Sequence, residues 1–366
     1  MTTDDSLTTI PADDCTPPPI RTAADLLAAL PYQLGFRPED SVVLTTLCRA
    51  PGARTKTLGP LARLDVEGLI DPDAGDALAG AATTRMVGPD AERVLLVCYV
   101  PETFGAARLD PDLPTAVTTV DDALPGGGPR VEPSDVWVVA TDGWGHLAPC
   151  DCCAPSGEPL DVLETSAVAA GMVLTGKVAL GAREELAVTP VGGPDRAAAD
   201  RAAEDESTRR ARLRPGEYRR AATQLWDRTC GDPAAADPAD LGRLAVALAD
   251  TVVRDAAVAA AVTDARAADL LNPREIGRAL DRGGRPREKL RLACRLAETV
   301  AAHAPHGAAA PALGLLAYLA WWSGDGARAD VVARQALTED PEHRLTHLVA
   351  ATVGSGVPPP WVAHPS

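Results

Sequence analysis

The chain has 366 residues, 46% of them hydrophobic and 23% charged, with a formal net charge of −16 and only 3% aromatic residues. That length suits about two domains, and the composition suits a packed core rather than a disordered or fibrous chain. The charge is uneven: residues 1–190 hold 12 basic and 28 acidic side chains, while residues 191–366 hold 23 of each. A nucleic acid needs a basic footprint on its binder, so it is not expected as the main partner.

The opening residues Met1-Thr2-Thr3-Asp4-Asp5 contain neither a basic nor an apolar segment, so no secretory signal is expected there. The longest strongly apolar stretch, 312–322, is far short of the roughly 20 residues that cross a bilayer. A cytoplasmic protein without a membrane partner is the expectation. Its eight cysteines should then be thiols or metal ligands rather than a disulfide framework.

Residues 1–19 are polar and acidic, end in three prolines and read as a disordered lead-in. A helix is expected from Thr22, whose hydroxyl forms a capping box with Asp25. Leu26, Leu27 and Leu30 give it an apolar face, and Gly35 suits a left-handed exit. Ser41–Cys48 (SVVLTTLC) is a β-branched run typical of a buried strand. A second strand at 58–66 and a helix at 71–85 follow, and 93–100 (RVLLVCYV) is the clearest buried strand. Next come a helix at 112–124, a loop at Gly126-Gly127-Gly128 and a strand at 135–141 (DVWVVAT). Asp142-Gly143 is a two-residue hairpin signal that returns the chain through 144–147. Strands alternating with helices predict an α/β domain over 20–194, with a mostly parallel sheet and one hairpin.

From residue 195 the strand signals stop. Helices are expected at 194–212, 215–229, 238–268, 273–280, 286–302, 311–323, 327–338 and 341–352, several with proline near the first position. This makes 195–355 an all-α domain and 356–366 a tail. A weak repeat runs through it. Leu316, Gly324-Asp325, Ala329, Ala336 and Pro341 fall at positions of a tetratricopeptide-type helical hairpin, and Ala293, Ala297 and Pro305 repeat the rhythm 36 residues earlier. A plain helical hairpin in an alanine-rich domain is the other reading, because the aromatic positions of the repeat are not met. Either way, paired helices offer a concave interaction surface.

Residues 25–44 (DLLAALPYQLGFRPEDSVVL) resemble the opening of an actinobacterial family, DUF4192. The resemblance continues through the cysteine-containing loop before Pro155-Ser156-Gly157-Glu158-Pro159 and through 248–257 (LADTVVRDAA). It ends with 319–329 (LAWWSGDGARA) and 337–342 (LTEDPE). These blocks span almost the whole chain in the expected order. The resemblance implies a soluble two-part protein of actinobacteria and carries over no catalytic residues.

The most chemical-looking cluster is Cys150, Cys152 and Cys153, with His146 four residues before the first of them. Zinc favours thiolate and imidazole ligands in a tetrahedron. Against it, the side chains of adjacent Cys152 and Cys153 tend to diverge, and the usual two-residue spacer is missing. Thiol chemistry and a purely structural loop are the alternatives. Cys98, on the strand at 93–100, could be a distant fourth ligand only if the fold brings it near.

Arg37, Glu39, Asp40 and Ser41 precede the first strong strand and could bind a polar ligand, with turn chemistry as the plainer reading. Asp142 lies near a strand end, where a carboxylate can be catalytic, yet Asp-Gly makes a hairpin by itself. Gly171 to Lys177 follows the phosphate-loop pattern, then Val178 stands where magnesium needs Ser or Thr, and a helix rather than a strand leads into it. That match reads as chance. His343 and His347 are one helical turn apart without an evident third ligand, and His303 and His306 straddle a turn. The arginines of 209–220 and 274–295 could meet a phosphate or an acidic partner, the acidic N-terminal half included, with solvated helix faces as the plainer reading.

No G-x-S-x-G, H-E-x-x-H or dinucleotide motif occurs in its proper context. The expected function is a non-catalytic protein-interaction or regulatory module, its helical domain offering a surface to another protein. The alternative is an enzyme or small-ligand binder with its site at the strand ends of the α/β domain. No cofactor is expected apart from zinc at the cysteine loop.

Overall fold

The computed structural model describes residues 20–49, 56–285 and 288–363. The chain divides into two units, Met1–Arg183 and Glu184–Ser366, a division somewhat ahead of the seam expected at residue 195. The lead-in read at 1–19 lies outside the described residues.

The first unit opens with α1 (Ala23–Leu34). The capping box forms as expected: Thr22 Oγ1 accepts the Asp25 N–H at 3.1 Å, and the Asp25 carboxylate accepts the Thr22 N–H at 3.0 Å. Gly35 closes the helix at φ 82. Strand β1 (Ser41–Cys48) is followed by β2 (Thr57–Leu58) and β3 (Ala62–Asp65), then by α2 (Val66–Ile70) and α3 (Gly75–Met86). Strand β4 (Ala91–Tyr99), α4 (Phe104–Ala107), α5 (Asp112–Asp122), β5 (Val136–Val139), β6 (Trp144–His146), α6 (Asp161–Glu164) and α7 (Ala167–Leu174) complete it.

The sheet order is β2-β1-β4-β5-β6, with β3 also on β1. Strands β2 and β3 are two pieces of one return strand. Leu47 pairs with Leu58 but Leu44 pairs with Ala62, so one extra residue is inserted at Gly59-Pro60-Leu61. Pro60 has no N–H to give the ladder. Thr45 Oγ1 donates instead to the Pro60 carbonyl at 3.1 Å, and the Gly59 N–H donates to Thr46 O at 2.8 Å.

The expectation of a mostly parallel sheet is corrected: the sheet is mixed, and among the described strand pairs only β4–β5 is parallel. The strand–helix alternation signalled crossovers, and two crossovers are present. One, through α2 and α3, joins β3 to β4; the other, through α4 and α5, joins β4 to β5. A crossover fixes the relative direction of the strands it joins but not their adjacency. Strand β1 lies between β3 and β4 and runs against both, so one crossover yields no parallel neighbours.

Val42, Leu44, Val94, Leu96, Cys98, Val136 and Val138 on one sheet face form a core with Leu69, Ala79, Leu113, Ala116 and Val120 of the covering helices. Their alternates Val43, Leu95 and Val97 are also buried. Both faces of the central strands are covered, which is why those strands read as continuous apolar runs.

The second unit is helical. It comprises α8 (Gly193–Arg212), α9 (Pro215–Gly231), α10 (Pro238–Ala247), α11 (Thr251–Ala261), α12 (Pro273–Asp281), α13 (Glu288–His303), α14 (Ala310–Trp322), α15 (Gly326–Glu339), α16 (Arg344–Gly354) and the single turn α17 (Pro360–Ala363). The long helix expected at 238–268 is broken because the Asp250 carboxylate caps α11 by accepting the Val252 N–H at 3.0 Å. The segment read as a tail docks. Trp321 Nε1 donates to Val357 O at 2.8 Å, and Trp361 Nε1 donates to Trp322 O at 2.9 Å. Among the described residues no helix is long and apolar enough to cross a membrane.

The core of this unit is leucine and alanine, with Leu244, Leu296, Ala297, Leu316, Ala329, Val332 and Ala336 fully buried. Small residues let the helix axes approach. Closest is α8 on α10, where a Cβ added to Gly242 would overlap the Ala199 carbonyl. Gly242→Ala is therefore expected to force the two helices apart and destabilise by about 1–3 kcal/mol in denaturant unfolding, whereas Gly277→Ala, with open space around it, should not destabilise.

Candidate metal centre

The centre lies where β5 turns back as β6. Val139 pairs with Trp144 and Trp137 with His146, and the Ala140 N–H donates to Gly143 O at 2.9 Å. The turn is thus Thr141-Asp142, one residue earlier than the Asp-Gly signal indicated, and neither residue takes positive φ. Gly143 serves a different purpose: a Cβ there would lie 3.0 Å from Ser156 O and 3.1 Å from Glu158 O. The absent side chain lets the returning loop pair on β6, with Trp144 and Glu158 exchanging N–H···O bonds of 2.9 and 2.7 Å.

Asp142 is taken up by this architecture. Its Oδ1 accepts the Phe104 N–H at 2.7 Å, tying the start of α4 to the hairpin. Phe104 is fully buried, with Gly145 and Gly157 against its ring. A Cβ on Gly145 would come 2.8 Å from Phe104 Cζ, and Gly157 sits at φ +80 with its Cβ position 3.0 Å from the ring.

The chain leaving β6 curls through residues 147–153 and brings four groups together. Nδ1 of His146 lies 3.3 Å from the Sγ atoms of Cys150, Cys152 and Cys153 alike. Cys152 Sγ is 2.9 Å from Cys150 Sγ, and all four ligand atoms fall within 4.8 Å of one another. The expectation that adjacent Cys152 and Cys153 diverge is corrected. Divergence is a property of extended backbone, and residues 151 and 152 form a turn, which aims successive side chains inward. Cys98 is not part of the group: it is buried in the sheet core, where desolvation pushes its thiol up to about 12.

The ring of His146 is oriented by its surroundings. Nε2 lies 3.2 Å from Ser134 O. A carbonyl only accepts, so Nε2 carries the proton and Nδ1 turns a lone pair toward the sulfurs. Trp137, directly across the hairpin, lies over the imidazole with ring centroids 3.8 Å apart and the planes tilted by 32°. Ser134 belongs to a 3-10 turn, Pro133–Asp135. There Asp135 is buried and receives the Arg93 guanidinium, Nε to Oδ2 at 2.8 Å. Burial raises the Asp135 carboxyl above the usual range while Arg93 opposes the rise.

One lone pair accepts one S–H at a time, so the three equal contacts cannot all be hydrogen bonds to Nδ1. Among the thiols, the bond from Cys152 holds Cys150 down at about 6, and the same bond pushes Cys152 up to about 11. Burial raises Cys153. An ion of zinc size, with bonds of about 2.3 Å to sulfur and 2.0–2.1 Å to nitrogen, would need edges of roughly 3.5–3.8 Å, so shifts of about 1 Å or less close the four ligands on it.

The remaining candidates are dispersed. Arg37 pairs with Glu164 at 3.2 Å on the surface. Glu39 O accepts from Arg63 at 3.0 Å, and Asp40, at φ 43, accepts the Val66 N–H at 3.2 Å through its carbonyl. Ser41 is buried, two strands from the end of β5 that leads to Asp142. A cavity of about 470 Å³ touches Thr263, Leu270 and Arg278, and one of about 410 Å³ touches Val87, Glu92 and Gly127. Neither is lined by Arg37, Glu39, Asp40, Ser41 or Asp142.

His343 bonds Thr346 Oγ1 at 2.7 Å and His347 bonds Pro341 O at 2.6 Å, so each ring is held by a protein partner of its own. Lys177 caps no phosphate loop; its Nζ donates to Gln33 Oε1 at 2.7 Å. Sequence reasoning missed Ser134 and Trp137. The signal for Trp137 was present, since a correctly registered hairpin places it opposite His146.

Fold and cluster together define a class: a mixed α/β unit with a three-cysteine, one-histidine group at its sheet edge, followed by a helical unit. The model of the family described as Domain of unknown function (DUF4192) matches residues 24–360, and the chain belongs to that family. No curated protein and no solved structure matches the chain.

Asp142→Ala removes the acceptor of the Phe104 N–H. By analogy with a lost helix cap it is expected to cost about 0.5–2 kcal/mol in denaturant unfolding, with no change in the oligomeric state seen by light scattering.

Proposed function

We propose that the α/β unit binds one zinc ion on His146, Cys150, Cys152 and Cys153, and that the protein is a non-catalytic interaction or regulatory module stapled by that ion. The observation that carries this reading is the convergence of three sulfurs on one Nδ1 lone pair, in a ring held by Ser134 and Trp137. Three thiolates and an imidazole are the soft tetrahedral set that suits zinc. A histidine whose second nitrogen donates to a carbonyl is the usual outer-shell arrangement of such a ligand. All four positions are filled by protein, which leaves no open position for water, so the ion holds the loop rather than performing hydrolysis.

The helical unit supplies the interaction surface. Reading α14 and α15 as a tetratricopeptide-type hairpin is supported by Gly324 at φ +84 in the turn and by Ala329 and Ala336 buried at the interface. A native-level pull-down returning no stoichiometric protein partner would count against this part of the reading.

The metal reading is tested on freshly purified full-length protein. Elemental analysis is expected to find about one zinc per chain, falling below about a tenth in Cys152→Ser and Cys153→Ser, because a closed site loses its affinity with one ligand. Chelation is expected to lower the melting temperature by roughly 4–10 °C, since an ion bound only to the folded chain stabilises it by mass action.

A second reading, a small polar ligand at the strand ends, is favoured by one observation. Ser41 Oγ and Tyr99 OH, on directly paired residues, are buried without a partner. Tyr99→Phe separates the cases. It stabilises by up to about 1 kcal/mol where the hydroxyl has nothing to bond, and destabilises where a bound molecule satisfies it.

A further inference from the structure

We infer that the centre is a peroxide-sensitive zinc switch, in which oxidation joins Cys150 to Cys152 as a disulfide and the ion leaves. The inference rests on the zinc reading above. It adds a regulation that four buried ligands would not have.

The argument is one of access. Among the described cysteines only Cys150 and Cys152 are exposed; Cys98 and Cys230 are buried, and Cys48, Cys153 and Cys294 are half-buried. The two exposed thiols are separated by one residue, Asp151, and their sulfurs are already 2.9 Å apart. An oxidant reaching this surface therefore meets two adjacent sulfur ligands before any other thiol described. The half-buried pair, Cys153 and His146, stays on the inner side of the loop.

The chemistry balances with hydrogen peroxide as oxidant. One thiolate attacks an oxygen of the peroxide, the O–O bond breaks, and a sulfenic acid forms with release of hydroxide. The second thiolate attacks that sulfur, the S–S bond forms, and a second hydroxide leaves. Two sulfurs have given up two electrons, and the two hydroxides take protons from solvent to become water. Zinc loses two of four ligands at once, and one thiolate with one imidazole does not complete a tetrahedron. The sheet edge itself is not built on those sulfurs. The β5–β6 ladder and the Trp144–Glu158 bonds are backbone contacts, so release is reversible by a thiol reductant and added zinc.

The experiment uses full-length, zinc-loaded protein with a chromophoric zinc chelator and hydrogen peroxide. The expected result is release of about one zinc per chain, the metal content a closed site implies, together with a peptide two mass units lighter that spans Cys150 and Cys152. Far-UV circular dichroism should stay unchanged, and dithiothreitol with zinc chloride should restore the metal. The variant Cys15→Ser/Cys48→Ser/Cys294→Ser is expected to release zinc at the unaltered rate; a slower rate would place the reactive thiol elsewhere and overturn the inference. Zinc retained in excess peroxide overturns the switch while leaving the zinc reading intact, as does release with sulfinic acids and no Cys150–Cys152 bond. Protein that never contained zinc overturns both.

Discussion

A single imidazole nitrogen facing three sulfur atoms at one distance is more than its one lone pair can serve by hydrogen bonding, and much of the sheet edge is arranged to create it. Nδ1 is free because Nε2 is spent on the Ser134 carbonyl. Ser134 is in place because the Arg93–Asp135 pair, joining β4 to the start of β5, anchors its turn. The ring faces the sulfurs because Trp137, tilted by 32°, covers it from across the hairpin. Behind the loop, Gly145 and Gly157 leave room for the Phe104 ring, and Asp142 fixes the backbone of Phe104 from the turn. Groups from β4, β5, β6 and α4 thus converge on one seven-residue curl.

Much of this fold was legible because it followed from local chemistry. The capping box of Thr22 and Asp25 set the start of α1, and prolines at the first helical turn marked α9, α10 and α12. The runs at Ser41–Cys48 and 93–100 read as strands because both sheet faces are covered. Strand direction was not legible. Alternation reveals which strands a crossover joins, whereas the insertion of β1 between β3 and β4 is a non-local choice. Hairpin register was hidden for a related reason: Asp-Gly suggests turn chemistry at Gly143, whereas a close approach to Ser156 and Glu158 demands the glycine. For the cluster, residue types and spacing were visible in HLAPCDCC, but their convergence depended on whether residues 151 and 152 turn or extend. Propensity alone does not decide that.

The two units differ in how they use small residues. In the helical unit, alanine and glycine bring helix axes together, as at Gly242 on Ala199, and burial of leucine between them supplies the stabilisation. In the α/β unit, glycine brings a loop onto a strand and an aromatic ring, at Gly143, Gly145 and Gly157. A chain with 3% aromatic residues concentrates several of them where geometry must be held: Phe104, Trp137 and Trp144 gather at the β5–β6 hairpin, and Tyr318, Trp321, Trp322 and Trp361 cluster where the C-terminal segment docks. Aromatic rings are stiff and lose little entropy on ordering.

Position at the surface separates the affinity of the proposed centre from its lability. Affinity follows from the number and softness of the ligands, and four protein ligands of this kind suffice wherever they sit. Lability follows from which ligand a reagent meets first. A cluster enclosed by the core would yield its ion only on unfolding. Here the two outer sulfurs face solvent while His146, with Trp137 over its ring, and Cys153 are half-buried, so chemistry can act on half of the coordination shell without disturbing the sheet. The acidic balance of residues 1–190 works in the same sense, since a negative field draws a divalent cation back once the thiolates are restored.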